Sequence, residues 1–170
     1  MDITELILHQ HEEQRRGFAL LDDVPRDDAA TLGAIWSRLE VLLEGHAEAE
    51  ERFFYPRLLK LGTGGGGADS ARSETEDAIK DHNEIRDAVR QVSKHEPGND
   101  DWWQCVLRAR EANSDHMAEE EREDLPDFRR HADLQTRHEI AVDFIRFQSE
   151  HADGIRAANE DPREYVEEHS

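Results

Sequence analysis

Apolar side chains recur along this chain three and four positions apart, the spacing of one helix face, and no run alternates with the period of two that a half-buried strand requires. Residues 2–22 carry Ile3, Ile7, Phe18 and Leu21 at helical spacing, and Asp22-Asp23-Val24-Pro25 ends that stretch. A long second helix is predicted over 28–61, with Ile35, Leu39, Leu42 and Leu43 along one side. Pro56 lies inside it and, having no backbone N–H, should kink it or open it locally. Gly62-Thr63-Gly64-Gly65-Gly66-Gly67 reads as the clearest flexible loop. A third helix is predicted over 72–95, with Ile79, Ile85, Val89 and Val92, and Glu96-Pro97-Gly98-Asn99-Asp100 is a turn. The fourth spans 101–124, with Pro126 as its break; at least one of Trp102 and Trp103 should plug the end of the assembly. A fifth pattern, 133–157, carries Ile140, Phe144, Ile145, Phe147 and Ile155. The tail from Glu160 is polar and acidic and reads as loose.

Composition narrows the function classes. The chain has 170 residues, suited to one domain with one core. Its formal net charge is −20. Such a field repels a phosphate backbone, so nucleic acid is not an expected partner, and it concentrates cations. No apolar run approaches a membrane span. The N-terminus lacks the basic-then-apolar order of a secretion signal. Cys105 is the single cysteine, which excludes an internal disulfide and makes a cytoplasmic location the expectation.

A repeat carries the chemistry. The first half holds His11, Arg15, His46, Glu50, Glu51, Arg52 and Pro56; the second holds His82, Arg86, His116, Glu120, Glu121, Arg122 and Pro126. His11 to His46 spans 35 residues and His82 to His116 spans 34. The step from His46 to Pro56 and that from His116 to Pro126 are both 10. Such a pattern reads as a duplicated helical hairpin, and two such hairpins make a four-helix bundle with a pseudo-twofold axis.

Positions i and i+4 of a helix differ by about 40° in direction, so His46 projects with Glu50, and His116 with Glu120, from one face each. Leu39, Leu42 and Leu43 precede His46 on its face, Ala109 and Ala112 precede His116, Ile7 and Phe18 bracket His11, and Ile85 and Val89 follow His82. The six polar groups therefore point into the apolar centre of the bundle. One buried histidine is tolerable with a hydrogen bond, but two buried carboxylates each cost several kcal/mol unless compensated. A metal ion removes that cost. Imidazole with carboxylate suits iron, manganese or zinc rather than calcium or magnesium.

At these positions the sequence resembles the hemerythrin or HHE cation-binding family. The matching pieces are His11-Glu-Glu-Gln-Arg15, His46-Ala-Glu-Ala-Glu50-Glu51 with Phe53-Phe54-Tyr55-Pro56, Asp81-His82-Asn-Glu-Ile-Arg86, and His116-Met-Ala-Glu-Glu120-Glu121 ahead of Leu125-Pro126. The resemblance covers about residues 1–130 and implies an all-α, up-down-up-down bundle. It implies a non-haem centre of two iron ions, oxo- or hydroxo-bridged, with manganese or zinc as substitutes. It makes His11, His46, His82 and His116 terminal ligands and Glu50 and Glu120 bridging ligands. The implied small ligands are dioxygen, peroxide or nitric oxide, bound or turned over in oxidase or catalase-like fashion. The alternative is iron storage, sensing or delivery without turnover. Ferritin-like bundles use Glu-x-x-His pairs instead, an order absent at these positions. Oxygen-carrying hemerythrins place a fifth histidine where this chain has Arg86, which speaks against stable oxygen transport.

The division expected is a bundle over 1–131 and an added helix with an acidic tail over 132–170. That helix is read as a cap on an open end, a cover over the metal channel, or a dimer contact, so the chain is expected as monomer or homodimer. Cys105 shares the inward face as a small buried hydrophobe. Tyr55 is expected to pack beside Pro56, with an added ligand role left open. Arg15 and Arg86 either pair with acids or guard the site. Glu51 and Glu121 lie about 100° from the bridging pair and suit surface or supporting roles. His9 should face solvent, and His95, His131, His138, His151 and His169 fall outside the repeat and are read as non-ligands.

Overall fold

Local capping fixes where the helices begin. In the computed structural model, which describes residues 1–65 and 70–170, the Asp2 carboxylate accepts the Thr4 N–H and starts α1 (Ile3–Asp23). Asp28 does the same through Thr31 for α2 (Ala29–Ala49). The disturbance expected from Pro56 takes the form of a π-helical turn over Glu50–Phe54, where the Tyr55 N–H reaches back to the Glu50 carbonyl. A fresh helix, α3 (Tyr55–Leu61), starts after it with Pro56 in its first turn, the one place where the missing N–H costs nothing. Gly66 and Gly67 of the expected loop lie outside the described residues.

Ser70 and Ser73 form a reciprocal capping box that opens α4 (Ala71–Val92). Asn99 caps α5 (Asp100–Arg122) through the Trp102 N–H. The break comes at Glu123, ahead of Pro126, which sits inside the short α6 (Asp124–His131). Asp133 caps α7 (Leu134–Glu150), which ends earlier than the apolar pattern suggested. Gly154 then takes φ +103, a left-handed turn that glycine adopts without penalty.

The C-terminus corrects the sequence reading. It is not loose: Asp161 caps, and Pro162 opens, a final helix α8 (Pro162–His169). Its Tyr165 and Val166 are buried, and it lies against α4. The Tyr165 hydroxyl donates to the Glu51 carbonyl, within the π turn.

Helices α1 with α2 and α4 with α5 form two antiparallel hairpins, stacked as an up-down-up-down bundle; no strand occurs among the described residues. Its core is split. One apolar cluster includes Ile3, Ile7, Phe54, Leu58, Ile79, Leu125 and Phe128. The other includes Phe18, Trp36, Leu39, Leu43, Val89, Val106 and Trp102. Along every bundle helix the polar residues of the repeat fall between the two, at mid-height. Trp102 and Trp103 are both buried and close one end, as expected, and Cys105 is buried beside them.

Helix α7 lies across α1, α2 and the π turn. Phe144 presents its ring to His46 with centroids 6.1 Å apart, and Phe147 packs on Phe53. It therefore covers the flank of the bundle where the polar layer lies. No described helix is long and apolar enough to cross a membrane.

Phe144→Ala should cost about 3–5 kcal/mol in urea unfolding, because it removes a fully buried ring from the core. Val142→Ala, on the exposed side of the same helix, should change stability by less than about 0.5 kcal/mol. Equal effects would mean that α7 does not pack as described.

Candidate metal centre

The six residues picked out by the repeat come together. Among the described residues, His11, His46, Glu50 and Glu120 offer ligand atoms within 4.8 Å of one another, and Glu50, His82 and His116 form a second such grouping. Glu50 belongs to both. The most exposed of the six retains 3% of its surface. His9 is exposed, as expected, and His95, His131, His138, His151 and His169 stand outside both groupings.

Each imidazole turns its Nδ1 outward and its Nε2 inward. The His11 Nδ1 lies 2.8 Å from Glu121 Oε1, and the His46 Nδ1 lies 2.8 Å from Gln10 Oε1. The His82 Nδ1 lies 2.8 Å from Glu51 Oε1. The His116 Nδ1 faces Asp81 Oδ2 at 3.7 Å, a looser approach. An acceptor at Nδ1 fixes the proton there and leaves the Nε2 lone pair for the interior, the arrangement that makes histidine a ligand. The pseudo-twofold extends to these partners. Gln10 and Asp81, each just before an expected ligand, hold the histidine of their own hairpin. Glu51 and Glu121, each just after one, hold a histidine of the other hairpin.

Arginines back two of the partners. Arg86 is buried and grips Glu51 with both arms, Nη1 to Oε1 at 2.9 Å and Nη2 to Oε2 at 2.7 Å, with Glu48 at 3.4 Å. Arg15 reaches Glu121 at 2.7 Å but stays open to solvent. So Arg15 and Arg86 pair with acids, and Glu51 and Glu121 orient histidines. Gln148 of α7 bonds Gln10 and extends the chain from His46 to the covering helix.

Inside, polar atoms crowd together. The His46 Nε2 is 2.9 Å from Glu50 Oε1, the His82 Nε2 is 3.3 Å from Glu50 Oε2, and the His11 Nε2 is 3.1 Å from Glu120 Oε2. The His82 and His116 Nε2 atoms lie 3.0 Å apart. Two neutral imidazoles with outward protons would set lone pair against lone pair there, so a proton or a cation must stand between them. A cation held by both nitrogens would remove that opposition. Among the described residues, the Nε2 atoms of His11 and His46, both Glu50 oxygens and Glu120 Oε2 are buried without an aligned hydrogen-bond partner. Five orphaned atoms in one layer, all of ligand type, fit a metal.

The ionisation states tell the same story. Burial would lower the His11 pKa, but the close Glu120 carboxylate and the hydrogen bond to Glu121 outweigh it and push the value up to about 9. Burial likewise opposes, and Asp81, Glu50 and Glu120 overcome, a rise at His116 to well above the usual histidine range. Glu50 is buried, yet the surrounding histidines hold its carboxyl well below the usual range. Protons on imidazoles thus compete for the places a cation would take.

Tyr55 does more than pack beside Pro56. Its ring stands edge-on to His82, and its hydroxyl lies 3.4 Å from Glu120 Oε1 and 3.3 Å from Asp124 Oδ2. Burial and the carboxylates of Glu120 and Asp124 keep the Tyr55 proton on. Burial, Glu120 and Glu74 raise the Asp124 pKa well above that of a free aspartate. Neither Asp124 nor Gln10 stands out in the sequence; for Gln10 the available signal was its place opposite Asp81 in the repeat.

Arg86→Met should cost about 3–5 kcal/mol in denaturant unfolding, because it strands the buried Glu51 charge. Arg15→Met, in the solvent-exposed counterpart, should cost less than about 1 kcal/mol. Similar costs for the two would contradict the burial difference.

The family model described as the hemerythrin HHE cation binding domain matches residues 2–128. No curated protein and no solved structure matches the chain. The described geometry and this match agree on a bundle with a His/Glu cluster suited to a cation, and the chain belongs to the hemerythrin HHE cation-binding family.

Proposed function

We propose that the chain holds two iron ions through His11, His46, Glu50, His82, His116 and Glu120, and that this site binds or reacts with dioxygen, peroxide or nitric oxide. The observation that carries the reading is the inward convergence of four Nε2 atoms on two carboxylates with orphaned oxygens. Manganese or zinc would satisfy the same donors. When bound, an iron pair supplies two electrons and open coordination positions to a small oxidant.

The residues divide the remaining work. Glu50 turns one oxygen toward His46 and the other toward His82, so a single carboxylate spans both groupings. Glu120 turns Oε2 toward His11 and Oε1 toward the Tyr55 hydroxyl. Tyr55 keeps its proton and offers it to Glu120 or Asp124 at the edge of the site. The Phe144 and Tyr55 rings stand edge-on to His46 and His82 and exclude water from two sides.

Arg86 separates this chain from an oxygen carrier. It occupies the position of the carriers' fifth histidine, and its guanidinium is committed to Glu51 and Glu48. A guanidinium stays protonated and cannot ligate. The near-complete enclosure of the ligands favours a second reading, storage or sensing of iron without turnover.

Protein purified aerobically should contain about two irons per chain and show an absorption band from iron–oxygen charge transfer. His46→Ala and Glu120→Ala should each lose iron, while His9→Ala should not; equal iron content in all three would contradict the ligand set. Anaerobic reduction followed by oxygen separates the two readings: a stable adduct or repeated consumption supports the reactive site, and inert oxidation supports storage or sensing.

Cation binding near pH 7 should release protons, because His11 and His116 hold theirs in the cation-free protein. Calorimetry in buffers of different ionisation enthalpy measures the number. In the cation-free protein the His11 proton should stabilise the fold fully below its unfolded pKa of 6.5, and that contribution should disappear as pH rises through about 9.

A further inference from the structure

An acid-lined cleft between α4 and α5 leads from the surface to the polar layer. Its outer part, about 370 Å³, is lined by Asp77, Asp81 and Glu119, with Glu84 and Asp115 at the rim. Among the described residues, Lys80 is the one cation of that rim, and it lies 3.6 Å from Glu84. Asp77, Asp81 and Glu119 also line a narrower inner part of about 40 Å³, which ends on His116, Glu120 and Glu74. The cleft thus tapers from a volume that holds a hydrated ion to one about the size of a single water.

The inner end carries the second observation. Glu74 is 5% exposed; its Oε1 accepts the Gly65 N–H, and its Oε2 is buried with no hydrogen-bond partner among the described residues. Glu120 Oε2, also unpartnered, belongs to the His11 grouping. Glu74, whose second oxygen has no partner among the described residues, thus lines the inner cleft beside His116 and Glu120, where a cation shedding water would gain a replacement.

We infer that this cleft is the passage by which a divalent cation reaches the centre, with Asp77 and Glu119 drawing it in and Glu74 taking it over before the ligands do. The inference rests on the metal-binding reading above. A cleft walled mainly by carboxylates focuses the field and raises the local cation concentration, so its effect belongs to the rate of loading. The equilibrium affinity is set by the six ligands, none of which is Asp77, Glu119 or Glu74.

The test is stopped-flow loading of the cation-free full chain with Co²⁺ at low ionic strength, followed by visible absorption, with end-point stoichiometry measured separately. Asp77→Asn/Glu119→Gln alters two exposed side chains, and Glu74→Gln keeps an acceptor for Gly65. The double variant should load about three- to tenfold more slowly, with the difference shrinking at high salt, and the end-point stoichiometry should not change. Glu74→Gln should also load slowly, and its deficit should survive salt better because the group is buried. Glu13→Gln/Glu168→Gln, with the same change in net charge on exposed positions elsewhere, should load at the parent rate. Parent-like rates in the cleft variants, or equal slowing in the control pair, would overturn the passage. No Co²⁺ uptake by the parent chain would remove the metal-binding reading itself.

Discussion

Carboxylates in a dry interior need opposite charge close by, and the rest of this structure is organised around that need. Glu50 and Glu120 sit between two apolar clusters with almost no access to water. Four imidazoles face them, and each imidazole is held from behind by an oxygen acceptor. Protons or cations can supply the missing positive charge, and they compete for the same nitrogen lone pairs. The apolar clusters make the demand severe, because in their low dielectric an uncompensated carboxylate costs several kcal/mol.

The outer acceptors convert that demand into specificity. Without them each imidazole could swing or change tautomer, and the inward lone pairs would be lost. The two cross-hairpin contacts, Glu51 to His82 and Glu121 to His11, also tie the halves of the bundle to each other. The site is therefore complete only where the two hairpins meet. α7 and α8 reinforce it from outside: Phe144 and Gln148 bear on the His46 side, and Tyr165 bears on the Glu51 backbone.

Much of this was legible in the sequence because it is periodic. His11, His46, His82 and His116 could be oriented from the apolar residues a turn away, and the duplication told a chance pair from a built one. The disturbance ahead of Pro56 was legible because a missing N–H has local consequences wherever the fold places it. The supporting groups were harder. Whether Glu51 or Arg86 meets a partner depends on the distance between hairpins, which helical spacing does not encode. Tyr165 and Val166 are a single apolar pair in an acidic tail, too few for a periodic signal, although Asp161-Pro162 is an ordinary helix start.

The π turn has a consequence for the equality of the two halves. By widening one turn it lets neighbouring residues, Glu50 and Glu51, both point inward, so both are nearly sealed from solvent. In the second half α5 runs through Glu120 and Glu121 as a regular helix, and Glu121 keeps 28% of its side chain exposed. One histidine thus leans on a charge that bulk salt can screen, and its twin leans on one that salt cannot reach. A repeated pattern in the sequence thus yields two seats of unlike temperament, and the solution outside the protein has a hand on only one of them.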